Sequence, residues 1–260
     1  MLRIRVMPTL LLRDESLVKT KRFGSYRYIG DPANTVRIFN ELEVDELVFL
    51  DIAATIERRS PNHAVLRDIA DECFMPLAYG GGIRSIDDAK GVFDIGFEKV
   101  VVNTVAVERP EVVTELANRY GTQAVVASID VKRTPFRKKL EVRTHGGRRR
   151  APVSPVEWAC ELERRGAGEI LLSAIDREGT WQGFDVELIR SVSDAVNVPV
   201  IAHGGAGSVA DIGRAVRTGG ASAVALGSMV VFQKKDMGVL VNFPERLVLE
   251  RELAGTAAPR

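Results

Sequence analysis

The chain has 260 residues, a net charge of +1, 45% hydrophobic residues and two cysteines. That length suits one large domain or two small ones, and the near-neutral balance excludes a bulk nucleic-acid or membrane surface. Cys73 and Cys160 lack metal-ligand spacing, so a reducing compartment, no metal and no cofactor are expected; no signal-like segment opens the chain and no apolar run nears the ~20 residues that span a bilayer, so the expected location is cytoplasmic.

Strand-like segments fall at 4–12, 46–52, 76–80, 99–103, 123–130, 169–174, 198–202 and 222–227. They are short, rich in Val, Ile and Leu, and mostly apolar on both faces, the pattern of a parallel sheet covered by helices. Amphipathic stretches lie between them, among them 31–43, 85–96, 155–166 and 208–220. Pro32, Pro110 and Pro155 stand near helix starts, and Gly96, Gly166 and Gly219 near helix ends. Eight βα units in about 250 residues predict the α/β class and a TIM (β/α)8 barrel, one domain over residues 1–260. A doubly wound open sheet is the alternative.

The chain also repeats itself. "DELVFLDIAA" (45–54) matches "GEILLSAIDR" (168–177), and "PLAYGGGIRSIDDA" (76–89) matches "PVIAHGGAGSVADI" (199–212), at one offset (169 − 46 = 123; 199 − 76 = 123). A common offset predicts two stacked half-barrels. "VMPTLLL" then opens one half and "VVASIDV" the other, with Leu11 where the second copy carries Asp130. The segment 133–155, "RTPFRKKLEVRTHGGRRRAPVSP", is longer than a barrel loop needs. It reads as a basic excursion over the top of the barrel, either a solvated loop or a grip on an anionic substrate.

Two glycine-rich turns, "YGGGIRS" (79–85) and "HGGAGS" (203–208), each run into a helix with serine as N-cap. Such turns let backbone N–H groups approach an anion, although tight packing uses glycine too. They predict two phosphate sites, one at Gly81, Gly82, Asn103 and Thr104, the other at Gly204, Gly205, Gly227 and Ser228. The ligand would be a phosphorylated small molecule with an anion at each end. Along the barrel axis, period-2 alternation puts Arg5, Met7, Thr9 and Leu11 on one face. Arg5, Glu46, Lys99 and Glu169 begin four strands. If all point inward they form a self-neutralising ring at the floor, either a structural plug or a gate for something small and polar.

The motifs "GDP" (30–32), "DELVFLDI", "GGGIRS", "VNT", "SIDVKR" (128–133), "GAGEILL" (166–172), "DREGT" (176–180) and "GGAGS" together resemble the HisF family, the cyclase subunit of imidazole glycerol phosphate synthase. The likeness covers roughly residues 3 to 230. It implies a synthase or lyase-type subunit of a glutamine amidotransferase complex. A HisH-like glutaminase would dock on the barrel floor, near Glu98, and ammonia would cross the barrel to a site at the top. Arg5, Glu46, Lys99 and Glu169 would then be the ammonia gate. Asp130 and Lys19 would be catalytic, and Asp176, Glu178 and Gly179 would bind substrate. The family uses a second aspartate, and it falls at Leu11, which cannot exchange a proton. Val101, Ala53, His203 and Glu178 depart from the family pattern as well.

"PTLLL", "YIGDP", "FNELEVDELVFLDI", "ECFMPLAYGGGI" and "GSMVVFQKKDMGVLVNFP" (227–244) resemble the WbuZ-like, glycosyl amidation-associated branch of that family. That branch implies a glutaminase, a separate sugar amidotransferase, and conversion of an acetamido to an acetamidino group in surface-polysaccharide biosynthesis. Two alternatives stand beside it: a histidine-pathway cyclase, and a non-catalytic scaffold that activates a glutaminase.

Overall fold

The computed structural model describes residues 4–134 and 139–254. Its strands are β1 (Arg5–Arg13), β2 (Ser16–Thr20), β3 (Tyr26–Gly30), β4 (Leu47–Asp51), β5 (Leu77–Gly80), β6 (Lys99–Val102), β7 (Val125–Arg133), β8 (Leu140–Thr144), β9 (Arg149–Arg150), β10 (Glu169–Ala174), β11 (Val200–His203) and β12 (Ala223–Leu226). Eight of them pair in parallel around a ring, β1-β4-β5-β6-β7-β10-β11-β12 and back to β1. The β7–β10 ladder, from Glu169↔Val126 to Ala174↔Val131, completes the closure. The protein is thus a (β/α)8 barrel, and the open doubly wound sheet is excluded.

Helices α1 (Pro32–Glu41), α2 (His63–Glu72), α3 (Ile86–Ile95), α4 (Thr104–Glu108), α5 (Glu111–Tyr120), α6 (Pro155–Arg164), α7 (Val186–Ser193), α8 (Val209–Arg217) and α9 (Arg246–Leu253) follow in chain order. Their starts carry local signals. Asp31 accepts from Asn34 N with Pro32 in the first turn. Ser85 caps Asp88 N, and Ser208 caps Asp211 N at the repeat offset (208 − 85 = 123). Such caps contribute about 1 kcal/mol each. Gly96 ends α3 in the left-handed region. After α8 that conformation belongs to Gly220 (φ 74°), one residue past the expected Gly219.

Alternation along the strands makes two cores. Outward strand residues such as Phe49 and Tyr79 share one core with Phe39, Leu66, Leu116 and Leu162 of the surrounding helices. Inward residues Met7, Val48, Ala78, Val101, Val126, Leu171, Ile201, Ala223 and Ala225 fill the interior as a separate apolar cluster. Full burial of such a side chain stabilises by about 1.5–3 kcal/mol. Two excursions rise from the top. The antiparallel hairpin β2–β3 continues β1, pairing Leu11 with Val18. β8 and β9 extend β7, pairing Asp130 with Arg143. Residues 135–138 of the basic excursion lie outside the described residues. No helix among the described residues is long and apolar enough to cross a membrane.

Candidate active site and ion ring

At the floor, Arg5 donates to Glu46 (2.7 Å) and to Glu169 (2.6 Å). Lys99 Nζ lies 2.9 Å from Glu46 Oε1 and 3.3 Å from Glu169 Oε2. Each cation meets both anions, so the four side chains form a closed ring of alternating sign. Glu46 and Glu169 stand at the same point of the two halves. The Glu46 side chain is 4% exposed and that of Arg5 28%, so the ring opens to the floor through the arginine. Above it lies the apolar interior, where the Thr9 hydroxyl is buried without a hydrogen-bond partner among the described residues.

The mouth is built from strand ends. Asp130 accepts from Asn103 Nδ2 (3.2 Å) and Ser128 Oγ (3.3 Å). It keeps some accessible surface yet is surrounded by protein atoms, and burial pushes its carboxyl up to about 7 against the pull of the Ser128 and Ser173 hydroxyls. Lys19, on β2, reaches down to donate to Thr9 O at 2.5 Å. Burial lowers its ammonium to about 8, opposed by the charge of Glu178. His203 is buried with Nδ1 3.0 Å from Ser173 Oγ. Burial and the Lys19 charge hold its imidazole down at about 3, so it is neutral. Leu11 stands between Leu50 of β4 and Val18 of the hairpin, and is 6% exposed. An aspartate there would be buried in an apolar seam.

Asp176, Glu178 and Gly179 meet the hairpin and the excursion. Asp176 Oδ2 accepts from Arg133 N (2.6 Å), and Glu178 Oε2 from Phe23 N (3.2 Å). Burial raises the Glu178 carboxyl, while Lys19 opposes. A Cβ on Gly179 would stand 2.6 Å from Thr20 O, so this glycine (φ 69°) allows the hairpin to approach. The glycine turns show close packing as well. A Cβ on Gly81 would meet Asp51 O at 2.4 Å, on Gly82 Arg59 O at 2.5 Å, on Gly204 Ala174 O at 2.8 Å and on Gly205 Gly183 O at 2.3 Å. Gly82 N donates to Thr55 Oγ1 (3.3 Å). Asn103 also donates to Ser128 O (3.1 Å), and Thr104 Oγ1 accepts from His145 N (3.0 Å), so this pair ties β6 to β7 and the excursion. Gly227 lies beside Lys19 Nζ, and Ser228 is buried at the start of a short helical turn.

Two features escaped sequence reasoning. One is the Ser173–His203 contact. Ser173 lies two residues after inward Leu171, so period-2 alternation could have found it. The other is the ion pair of Arg143 and Glu141 on β8, which Arg150 joins at 3.4 Å.

A family model for histidine biosynthesis proteins matches residues 5–236. A Pseudomonas aeruginosa protein, provisionally named imidazole glycerol phosphate synthase subunit hisF2, is 46% identical over 245 residues, 94% of this chain and 97% of that protein. A HisF subunit of the same provisional naming from Leptospira interrogans is 42% identical over 246 residues, covering 95% and 97%. One from Vibrio vulnificus, hisF3, is 41% identical over 244 residues, covering 94% of each. The chain belongs to the histidine biosynthesis protein family and, within it, to the HisF family.

Proposed function

We propose that this chain works as one barrel domain that accepts ammonia from a docked HisH-like glutaminase at its floor and delivers it to an acceptor at its mouth. The observation that carries this reading is the closed, self-neutralising ring under an apolar interior in which the buried Thr9 hydroxyl is a polar waypoint. Neutral ammonia can cross such a path, and a hydrated ion cannot without a large desolvation cost. Phe74 supports docking at the same end. It is 87% exposed between α2 and the start of β5, with Leu42 also exposed near the start of β4. Exposed apolar side chains at that rim suit a protein partner.

The acceptor is then not the histidine-pathway intermediate. A carboxylate pair is unavailable with Leu11 opposite Asp130, and losing such a group commonly costs about two to four powers of ten in rate. We take the acceptor to be an acetamido sugar, converted to an acetamidino sugar for a surface polysaccharide, with a separate amidotransferase as a further partner. The glycine turns would hold its anionic groups. The names of the relatives favour a second reading, a cyclase subunit. A scaffold that only stimulates a glutaminase is the third.

Deleting the gene from its host separates these readings. The proposal expects loss of acetamidino signals from the purified polysaccharide, with growth on medium lacking histidine retained. Histidine auxotrophy with an unchanged polysaccharide would establish the cyclase instead. Loss of acetamidino signals that Asp130→Asn fully restores would establish the scaffold.

A further inference from the structure

With Leu11 in the apolar seam, the mouth keeps Asp130 and needs another group to exchange protons. Asp130, Ser173 and His203 lie side by side across β7, β10 and β11, in the registers Ser173↔Asp130 and Ser173↔His203. All three face inward, because Val126, Leu171 and Ile201, two or four residues earlier on the same strands, line the interior. We propose that His203 is the second acid–base group of the mouth, its Nε2 accepting a hydrogen bond from arriving ammonia, with Ser173 as the positioning residue that couples the ring to Asp130. This rests on the ammonia-delivery reading above.

The hydrogen bonds set the direction. A serine hydroxyl carries one proton, and an ionised carboxylate only accepts. Above about pH 7, where Asp130 is ionised, Ser173 gives its proton to it, so the Ser173 Oγ accepts from His203 Nδ1–H across the 3.0 Å contact. The lone pair then resides on Nε2. That atom borders the space beside Gly227, where a Cβ would stand 3.9 Å from Nε2 and 3.0 Å from Lys19 Nζ. Glycine keeps that space open. The charged groups around the ring are Lys19 from the hairpin, Asp130 from β7, and Glu178 behind Lys19 from the loop after β10. Lys19 is held by Thr9 O and repels a second positive charge, so the imidazole must release a proton as it takes one.

The relay balances. The ammonia nitrogen bonds to the acceptor's carbonyl carbon and the carbonyl π pair moves to oxygen. One N–H proton passes to Nε2, and its bonding pair stays on nitrogen. The Nδ1 proton moves to Ser173 Oγ, and the serine proton to the Asp130 carboxylate. The ring ends neutral and Asp130 ends protonated. Running back along the same row, that proton resets the ring and Nε2–H protonates the oxygen. The nitrogen lone pair then forms C=N as the C–O bond breaks, and hydroxide leaves with a second N–H proton as water.

The chain has three histidines, His63, His145 and His203, so nitrogen NMR of 15N-histidine-labelled barrel resolves this one. Between about pH 5 and 9, His203 is expected neutral, in the Nδ1–H form above the titration of Asp130 at about 7, and its shifts should follow that titration. Asp130→Asn and Ser173→Ala should abolish that response, and Ser173→Thr, which keeps the hydroxyl, should restore it. Adding 15N-ammonium chloride near the upper pH should move Nε2 saturably and leave His63 unmoved. An Nε2–H ring above about pH 7, where Asp130 is ionised, a protonated ring, a response that survives Ser173→Ala in the folded variant, or an Nε2 indifferent to ammonia would each overturn the assignment. These readouts use the barrel alone, so they are independent of the acceptor's identity.

Discussion

At the floor, Arg5 and Lys99 each meet both Glu46 and Glu169, and opposite charges lie within about one hydrogen-bond length throughout. At the mouth, Asp130 meets hydroxyls and an amide, Lys19 a carbonyl, and His203 a hydroxyl. The floor spends its buried charges on one another, and such a set is stable and inert. The mouth leaves them underpaired, so burial moves the proton affinities of Asp130 and Lys19 to about 7 and about 8. Groups that exchange protons near neutrality suit chemistry, and mutually paired groups suit passage. One barrel thus holds two arrangements of charge, fitted to different tasks.

The largest expected effect concerns the mouth. Transformation of a cyclase-deficient histidine auxotroph should give no robust growth, since a proton-transfer group worth about two to four powers of ten in rate is replaced by Leu11. Vigorous growth would break the comparison, because the mouth would then have retained the family chemistry. Next comes the floor. Glu46→Ala strips Arg5 and Lys99 of a shared partner and should cost about 3–5 kcal/mol in urea unfolding, toward the lower end because Arg5 is partly hydrated.

The same kind of deletion should act with the opposite sign at the mouth. Asp130 holds its proton more tightly folded than unfolded, so it favours the folded state at acid pH and that contribution fades as pH rises from about 4 to about 7. Asp130→Asn should therefore leave stability near pH 4 unchanged and raise it by roughly 1–3 kcal/mol at pH 8. Equal effects at both pH values would remove the contrast between floor and mouth. A smaller effect sharpens the role of the hairpin. Gly179→Ala forces a Cβ against Thr20 O and a left-handed residue, at a cost of about 1–3 kcal/mol. Hydrogen exchange should quicken over residues 16–30 and not over β5 or β6.

Much of the barrel was legible because its strands are buried on both faces and read as apolar runs. The ring was legible because four charged residues begin strands that are otherwise apolar. The hairpin β2–β3 was not read, although "SLVKT" and "YRYIG" flank a turn-like "FGS" with β-branched and aromatic residues. Its short strands lacked apolar alternation, since Tyr26 and Tyr28 are exposed. The fastening of that hairpin by Glu178 and Gly179, and the row Asp130–Ser173–His203, join residues about thirty to 160 positions apart. Barrel closure creates those contacts, and no local pattern announces them.

The central claim is that the floor still delivers nitrogen to a mouth with a changed acceptor. The direct measurement is the ratio of glutamate released to aminated sugar formed, using the barrel with its cognate glutaminase, glutamine and an acetamido sugar acceptor. Wild type should give a ratio near unity, and Lys99→Ala, shown to be folded, a ratio several-fold higher, because ammonia is made and lost at the floor. An unchanged ratio in the folded variant would contradict the account and leave the ring of Arg5, Glu46, Lys99 and Glu169 as a structural plug.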